Sequence, residues 1–151
     1  MNLNDIKELY KKKHDILLSC FANCDTPERV YEKIIEIGKN LPNPLENIEY
    51  EANLVHGCQS IVYLSSSLNA KGNIFYQIQS DALISSGLAH LLLLMYQDEK
   101  IELTLFCPPL FIQDLGLPSA LSISRSNGLA SMYARMQQDA KKLFIQMHAH
   151  L

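Results

Sequence analysis

Residues 61–78, IVYLSSSLNAKGNIFYQI, carry the reading on which the fold turns. Ile61-Val62-Tyr63-Leu64 and Ile74-Phe75-Tyr76-Gln77-Ile78 are rich in β-branched and aromatic side chains, which suit a pleated surface. Between them, Asn69-Ala70-Lys71-Gly72-Asn73 gathers residues that accept the dihedrals of a tight turn. The pattern predicts a β-hairpin, joined as a meander by a short strand around Asn53 to His56.

Helical periodicity takes over on both sides. Leu3, Ile6, Leu9, Tyr10, Leu17, Cys20, Phe21 and Cys24 recur at helical spacing and predict an amphipathic first helix. Thr26-Pro27-Glu28 supplies an N-cap, a proline for the first helical position and an early acid, so a second helix runs toward Pro42. After the hairpin, Ser80-Asp81 reads as the cap of a third, nearly all-apolar helix ending near Gln97. Leu103 to Leu121 is interrupted by Pro108, Pro109, Gly116 and Pro118, which leaves room for a short helix at Phe111 to Leu115 and little else. Leu129, Met132, Tyr133, Met136, Ala140, Leu143, Phe144 and Met147 form the apolar stripe of a long C-terminal helix. Helices, a small antiparallel sheet and helices again make an α+β arrangement, expected as one domain over residues 1–151.

Composition narrows the function. Thirteen basic residues against sixteen acidic ones give a net charge of −3, which offers no general attraction to a phosphate backbone. Nucleic acid is not an expected partner. The most apolar stretch, Leu88 to Tyr96, falls far short of the ~20 residues that span a bilayer, so no membrane partner is expected either. The N-terminal residues lack the basic, apolar and small-residue pattern of an export signal, so the expected location is cytoplasmic and the four cysteines are expected as thiols.

Among those thiols Cys58 stands out, because Gly57 precedes it at a turn and a glycine there can take positive φ and push the next side chain outward. A buried, inert cysteine fits the same spacing. Cys20 and Cys24 lie one turn apart on the first helix and read as buried filler, while Cys107 beside Pro108-Pro109 reads as an exposed spectator. Ser124 resembles an N-cap and so places Arg125 at the positive end of a helix dipole, where a nearby anion would relieve it. A structural or solvated arginine fits equally. His56 next to the loop need not face the sulfur, since neighbouring residues on a strand point to opposite faces. Nucleotide-binding glycine motifs, a zinc-protease helix and a serine-hydrolase elbow are all missing from the sequence.

Gly57-Cys58-Gln59-Ser60 followed by Val62, together with Ser124-Arg125-Ser126-Asn127-Gly128-Leu129 and Met132, resembles the SufE family of cysteine-desulfurase partners. Ile34 to Pro42 and Ser80 to Leu88 look like that family's second and central helices, so the likeness spans roughly Thr26 to Ile145. The family often has tryptophan at Tyr63 and proline at Ile123, neither of which touches the sulfur chemistry.

The resemblance implies a fold shared with iron–sulfur scaffolds of the IscU type. It also implies that Cys58 accepts persulfide sulfur from a SufS-like cysteine desulfurase, stimulates that enzyme, and passes the sulfur to downstream iron–sulfur scaffold proteins. Arg125 would then stabilise the Cys58 thiolate or persulfide, with Gly57, Gln59 and Ser60 forming the loop around it. The chain would need no cofactor of its own beyond a transient Cys58 persulfide; the pyridoxal phosphate belongs to the desulfurase. No stand-alone catalysis is expected. The alternative is an IscU-type scaffold that assembles a cluster itself, which requires several cysteine ligands at one place. A cysteine hydrolase would require a histidine and its orienting partner around Cys58.

Overall fold

The computed structural model describes residues 1–149. Its elements are α1 (Leu3–Ser19), α2 (Pro27–Gly38), a 3-10 turn (Glu51–Asn53), β1 (Val62–Leu68), β2 (Ile74–Ser80), α3 (Leu83–Tyr96), α4 (Ile101–Phe106), α5 (Phe111–Asp114), α6 (Leu117–Ala120) and α7 (Ile123–His148). The α+β arrangement is therefore present, with a two-stranded antiparallel sheet among helices. No described helix is long and apolar enough to cross a membrane.

Local chemistry sets the helix starts. Asn2 accepts the Asp5 N–H at 2.9 Å while the Asp5 carboxylate accepts the Asn2 N–H at 3.3 Å, a reciprocal cap that opens α1. Thr26 caps α2 through the Arg29 N–H at 3.2 Å, and Pro27 takes the first turn as expected. The third helix departs from expectation. Its N-cap residue is Ala82, with no side-chain cap, because the Asp81 carboxylate accepts the Ile61 N–H instead and ties off the open end of the hairpin. The long helix begins two residues earlier than Ser124 suggested: Ser122 is the cap, its hydroxyl accepting the Arg125 N–H at 3.2 Å.

The hairpin pairs β1 and β2 from Val62 opposite Ser80 to Leu68 opposite Ile74. Val62, Leu64, Ile74, Tyr76 and Ile78 are buried on the helical layer, where α3 supplies Leu88, Leu91, Leu92, Met95 and Tyr96. The expected third strand at Asn53 to His56 reduces to the 3-10 turn and one bridge, Leu54 to Tyr63. The carbonyls of Ala52 and Leu54, on the side away from β1, go to the Arg135 side chain.

The proline-rich region holds more helix than its sequence suggests. α4 stops at Phe106 because Cys107, which precedes Pro108, is pushed out of the helical region, to φ −121° and ψ 88°, and Pro118 sits in the first turn of α6, where a missing N–H costs nothing. Buried tyrosines lock α4 in place. Tyr133 donates to the Thr104 carbonyl at 2.7 Å and Tyr96 to the Cys107 carbonyl at 2.6 Å. Cys107 is consequently buried, contrary to the exposure expected of it, while Cys20, expected on the apolar face, is exposed just beyond the end of α1.

α2 and α3 meet backbone to backbone. A Cβ on Gly87 would lie 2.1 Å from the Ile34 carbonyl oxygen, and one on Gly38 would lie 2.5 Å from the Leu83 carbonyl oxygen. Helix propensity alone favours Gly87→Ala by about 1 kcal/mol, but the clash is with main chain and no rotamer relieves it. We expect Gly87→Ala to destabilise the fold by about 1–3 kcal/mol net. A denaturant midpoint equal to or above wild type would show that the two helices part easily.

Candidate functional site: a cysteine loop held on the long helix

The chain between Val55 and Val62 leaves the hairpin and returns to it. Its neck is closed by the Val55 N–H donating to the Val62 carbonyl at 2.9 Å and by the Leu54–Tyr63 bridge. The loop turns at Gly57, whose φ of +87° suits glycine, and a Cβ there would also lie 2.6 Å from the Ser131 hydroxyl oxygen.

One stripe of α7 receives this loop. Arg125 donates to the Ser60 hydroxyl and, at 3.1 Å, to that of Ser85 on α3; Ser85 also donates to Ser60 at 2.9 Å. Gly128 offers its carbonyl to the Cys58 thiol at 3.6 Å. Ser131 donates to the Gly57 carbonyl at 3.4 Å. Arg135 reaches the carbonyls of Ala52 at 2.7 Å and Leu54 at 3.3 Å. Residues 125, 128, 131 and 135 are spaced at three and four, so they lie on one helix face beside the apolar stripe. As α7 advances, the loop is read backward from Ser60 to Ala52.

Cys58 is half-buried in this cradle and packs on the edge of the core. A Cβ on Gly128 would come to 3.8 Å from its sulfur, an ordinary van der Waals contact, so the thiol lies directly over this turn of α7. Burial pushes the Cys58 thiol above its ordinary pKa, which keeps it protonated at neutral pH. A protonated, sheltered thiol is a poor nucleophile and a protected one.

The sequence-predicted residues do not all converge. Cys58, Gly57, Ser60 and Arg125 are brought together, while Gln59 and His56 lie exposed on the loop. Arg125, expected beside a sulfur anion, is engaged with the two serine hydroxyls, and burial is the cause of the Cys58 shift. Cys20, Cys24 and Cys107 lie elsewhere, and among the described residues no three His, Cys, Asp or Glu side chains are grouped to hold a metal ion. His14 is committed to Asp114 at 2.8 Å, and His90 to the Ile37 carbonyl at 2.9 Å. Sequence reasoning missed Ser85, Ser131 and Arg135. For Ser131 and Arg135 the signal was a polar stripe running parallel to the apolar one on the last helix, while Ser85 lies on α3 and gave none.

The family described as SufE, Fe–S metabolism associated domain, matches residues 15–140. A protein of Arabidopsis thaliana called SufE-like protein 1, chloroplastic/mitochondrial, is 34% identical over 143 residues. The match takes in 94% of this chain but 38% of that relative's length. An uncharacterized SufE-like protein of Synechocystis is 36% identical over 124 residues, which cover 80% of this chain and 75% of its own. A solution structure of a hypothetical protein from Thermus thermophilus superposes with a TM-score of 0.69 at 22% identity, covering 90% of this chain and 96% of that one, and supports the fold alone. With the family match extending across both the Cys58 loop and the α7 face that holds it, this chain belongs to the SufE family and has a place in Fe–S metabolism.

Proposed function

We propose that the chain is a sulfur carrier on which Cys58 takes persulfide sulfur from a cysteine desulfurase and hands it to an iron–sulfur scaffold. The observation that supports this most directly is the half-buried Cys58 thiol on a loop whose tip is held on α7 by long thiol and hydroxyl contacts and by Arg125 on Ser60. The reading includes a reducing, cytoplasmic setting, in which the free thiols persist.

The transfer is a thiol–persulfide exchange with no net oxidation. The Cys58 thiol gives up its proton, and the thiolate attacks the terminal sulfur of the partner's persulfide. A new sulfur–sulfur bond forms at Cys58 as the partner's own breaks, and the desulfurase cysteine departs as a thiolate that takes up a proton. The resting loop opposes the first step, since burial disfavours the thiolate. Docking would lift the loop from Gly128, solvate the sulfur and allow it to ionise. Ile61, Leu83 and Ile123, exposed by 53%, 53% and 82%, stand within two residues of the Ser60–Ser85–Arg125 junction and give a partner apolar surface to cover. Once Ser60 leaves, the Arg125 guanidinium is free to face the persulfide or a carboxylate of the partner.

Cys58→Ser is expected to fold normally, gain no sulfur from a desulfurase supplied with cysteine, and fail to stimulate cysteine turnover. Cys20→Ser should load as wild type. Intact mass after mixing checks both, and equal loading of the Cys58→Ser protein would move the acceptor to another thiol.

The rate of Cys58 alkylation against pH separates two roles for Arg125. The raised pKa places the wild-type midpoint above that of a free thiol. Folding therefore favours the protonated form, and this contribution to stability, present below the free-thiol pKa, fades as pH rises through the folded value. If Arg125 acts mainly as the latch on Ser60, Arg125→Ala exposes the thiol and moves the midpoint down toward the free-thiol value. A midpoint that moves up would instead assign Arg125 a direct electrostatic hold on the sulfur.

A further inference from the structure

The neck of the cysteine loop is held by a side chain far more firmly committed than those at its tip. Arg135, four residues beyond Ser131 on the same face of α7, donates to the Ala52 carbonyl at 2.7 Å, the Leu54 carbonyl at 3.3 Å and the Leu64 carbonyl at 3.5 Å. Its Nε donates to one oxygen of Asp139 at 3.0 Å, and the other oxygen of Asp139 accepts the Ser66 hydroxyl at 2.6 Å. The two side chains are only 20% and 15% exposed. The guanidinium thus joins three segments: the 3-10 turn that leads into the loop, β1 that leads out of it, and α7 that underlies it.

Contrast in bond chemistry suggests a division of labour. At the tip, Cys58 and Ser131 make a long thiol bond and a long hydroxyl bond, both neutral, and Arg125 brings the one charge, to the hydroxyls of Ser60 and Ser85, with no carboxylate or carbonyl among its partners within the described residues. At the neck, the donors carry a charge that the half-dry surroundings screen weakly, and such bonds are roughly twice as strong as neutral ones. A disturbance of the loop releases the tip before the neck.

We infer that Arg135 is a positioning residue: it fixes the neck of the loop on α7 so that, when the tip is released, Cys58 is presented along one path instead of wandering with a loose chain. The inference rests on the reading of Cys58 as a sulfur acceptor, and it extends that reading from the thiol to the device that aims it. Opening about a fixed neck costs less ordering entropy on docking than capture of a free loop. Neither Arg135 nor Asp139 touches the sulfur, so the effect acts through the Cys58 loop.

The test uses the full chain with Arg135→Met, which keeps much of the apolar stem, Arg135→Lys, which keeps a charge but not the fork, and Asp139→Asn. Three readouts are taken: site-resolved alkylation of Cys58 by iodoacetamide against pH, amide exchange at Val55, and sulfur loading by a desulfurase as its concentration is varied. For Arg135→Met the readouts should split in opposite directions. Alkylation becomes faster with a lower midpoint, and Val55 exchanges faster while amides in α2 and α3 hold. Sulfur loading at low desulfurase slows by roughly tenfold or more, the scale on which small misplacements of a reacting group act.

Arg135→Lys should fall between Arg135→Met and wild type, and Asp139→Asn should shift all three readouts in the same directions by less. A loss of alkylation protection and loading that follows only a global drop in stability, with exchange rising equally in α2 and α3, would overturn the proposal. So would unchanged loading with a loosened neck. Should Arg135→Met fail to fold, the Lys and Asn variants carry the same comparison, and a wild-type profile in both would count against it. Failure of the underlying reading gives a different signature: wild-type protein itself gains no sulfur, while the alkylation and exchange readouts still report on the neck.

Discussion

The contact on which the rest of this structure depends is the one between a single face of α7 and the polypeptide that runs from Ala52 to Ser60. Arg125, Gly128, Ser131 and Arg135 meet that segment in succession, and each supplies the group the opposing backbone or side chain lacks. An irregular loop carries unpaired main-chain groups that must go somewhere, and here they go to a helix. The same helix buries Leu129, Met132, Tyr133, Met136 and Ala140 in the core, so the loop is referred to the most rigid part of the molecule. Function and stability share α7 without sharing side chains.

The arrangement also explains how a cysteine can be both protected and usable. Full burial would make Cys58 inert, and full exposure would leave its thiol open to any oxidant or electrophile. A half-buried sulfur held by a carbonyl 3.6 Å away occupies the ground between, since a long thiol contact is a weak one. Gly57 contributes by turning the chain with positive φ, and Gly128 by offering its carbonyl to the thiol.

The close contact of α2 with α3 matters at a distance. Gly38 and Gly87 let the two backbones touch, which sets the height of α3 against the hairpin and so the place of Ser85 beneath Arg125. The polar junction that fastens the loop tip therefore hangs on an apolar packing detail on the opposite side of α3. The buried tyrosines that clasp α4 do the same for α7 from the other end, through Tyr133 and Thr104.

Much was legible in the amino-acid sequence alone. Strong periodicity marked α1, α2 and α7, a long apolar run marked α3, β-branched runs flanking a turn cluster marked the hairpin, and a glycine before Cys58 with a second motif at Arg125 marked two segments that the fold brings together. These are local signals, carried by residues whose neighbours in sequence are their neighbours in space. What only the tertiary structure decided was every question of partnership across the chain. Asp81 closes the hairpin instead of capping α3, Ser122 displaces Ser124 as the cap of α7, and Cys107 is buried while Cys20 is not. Arg135 is met by the carbonyls of Ala52 and Leu54, and Arg125 by hydroxyls from two other segments. Hydrogen-bond acceptors are interchangeable at the level of residue type, so which donor claims them is settled by distance in the folded chain, a quantity that sequence spacing does not contain.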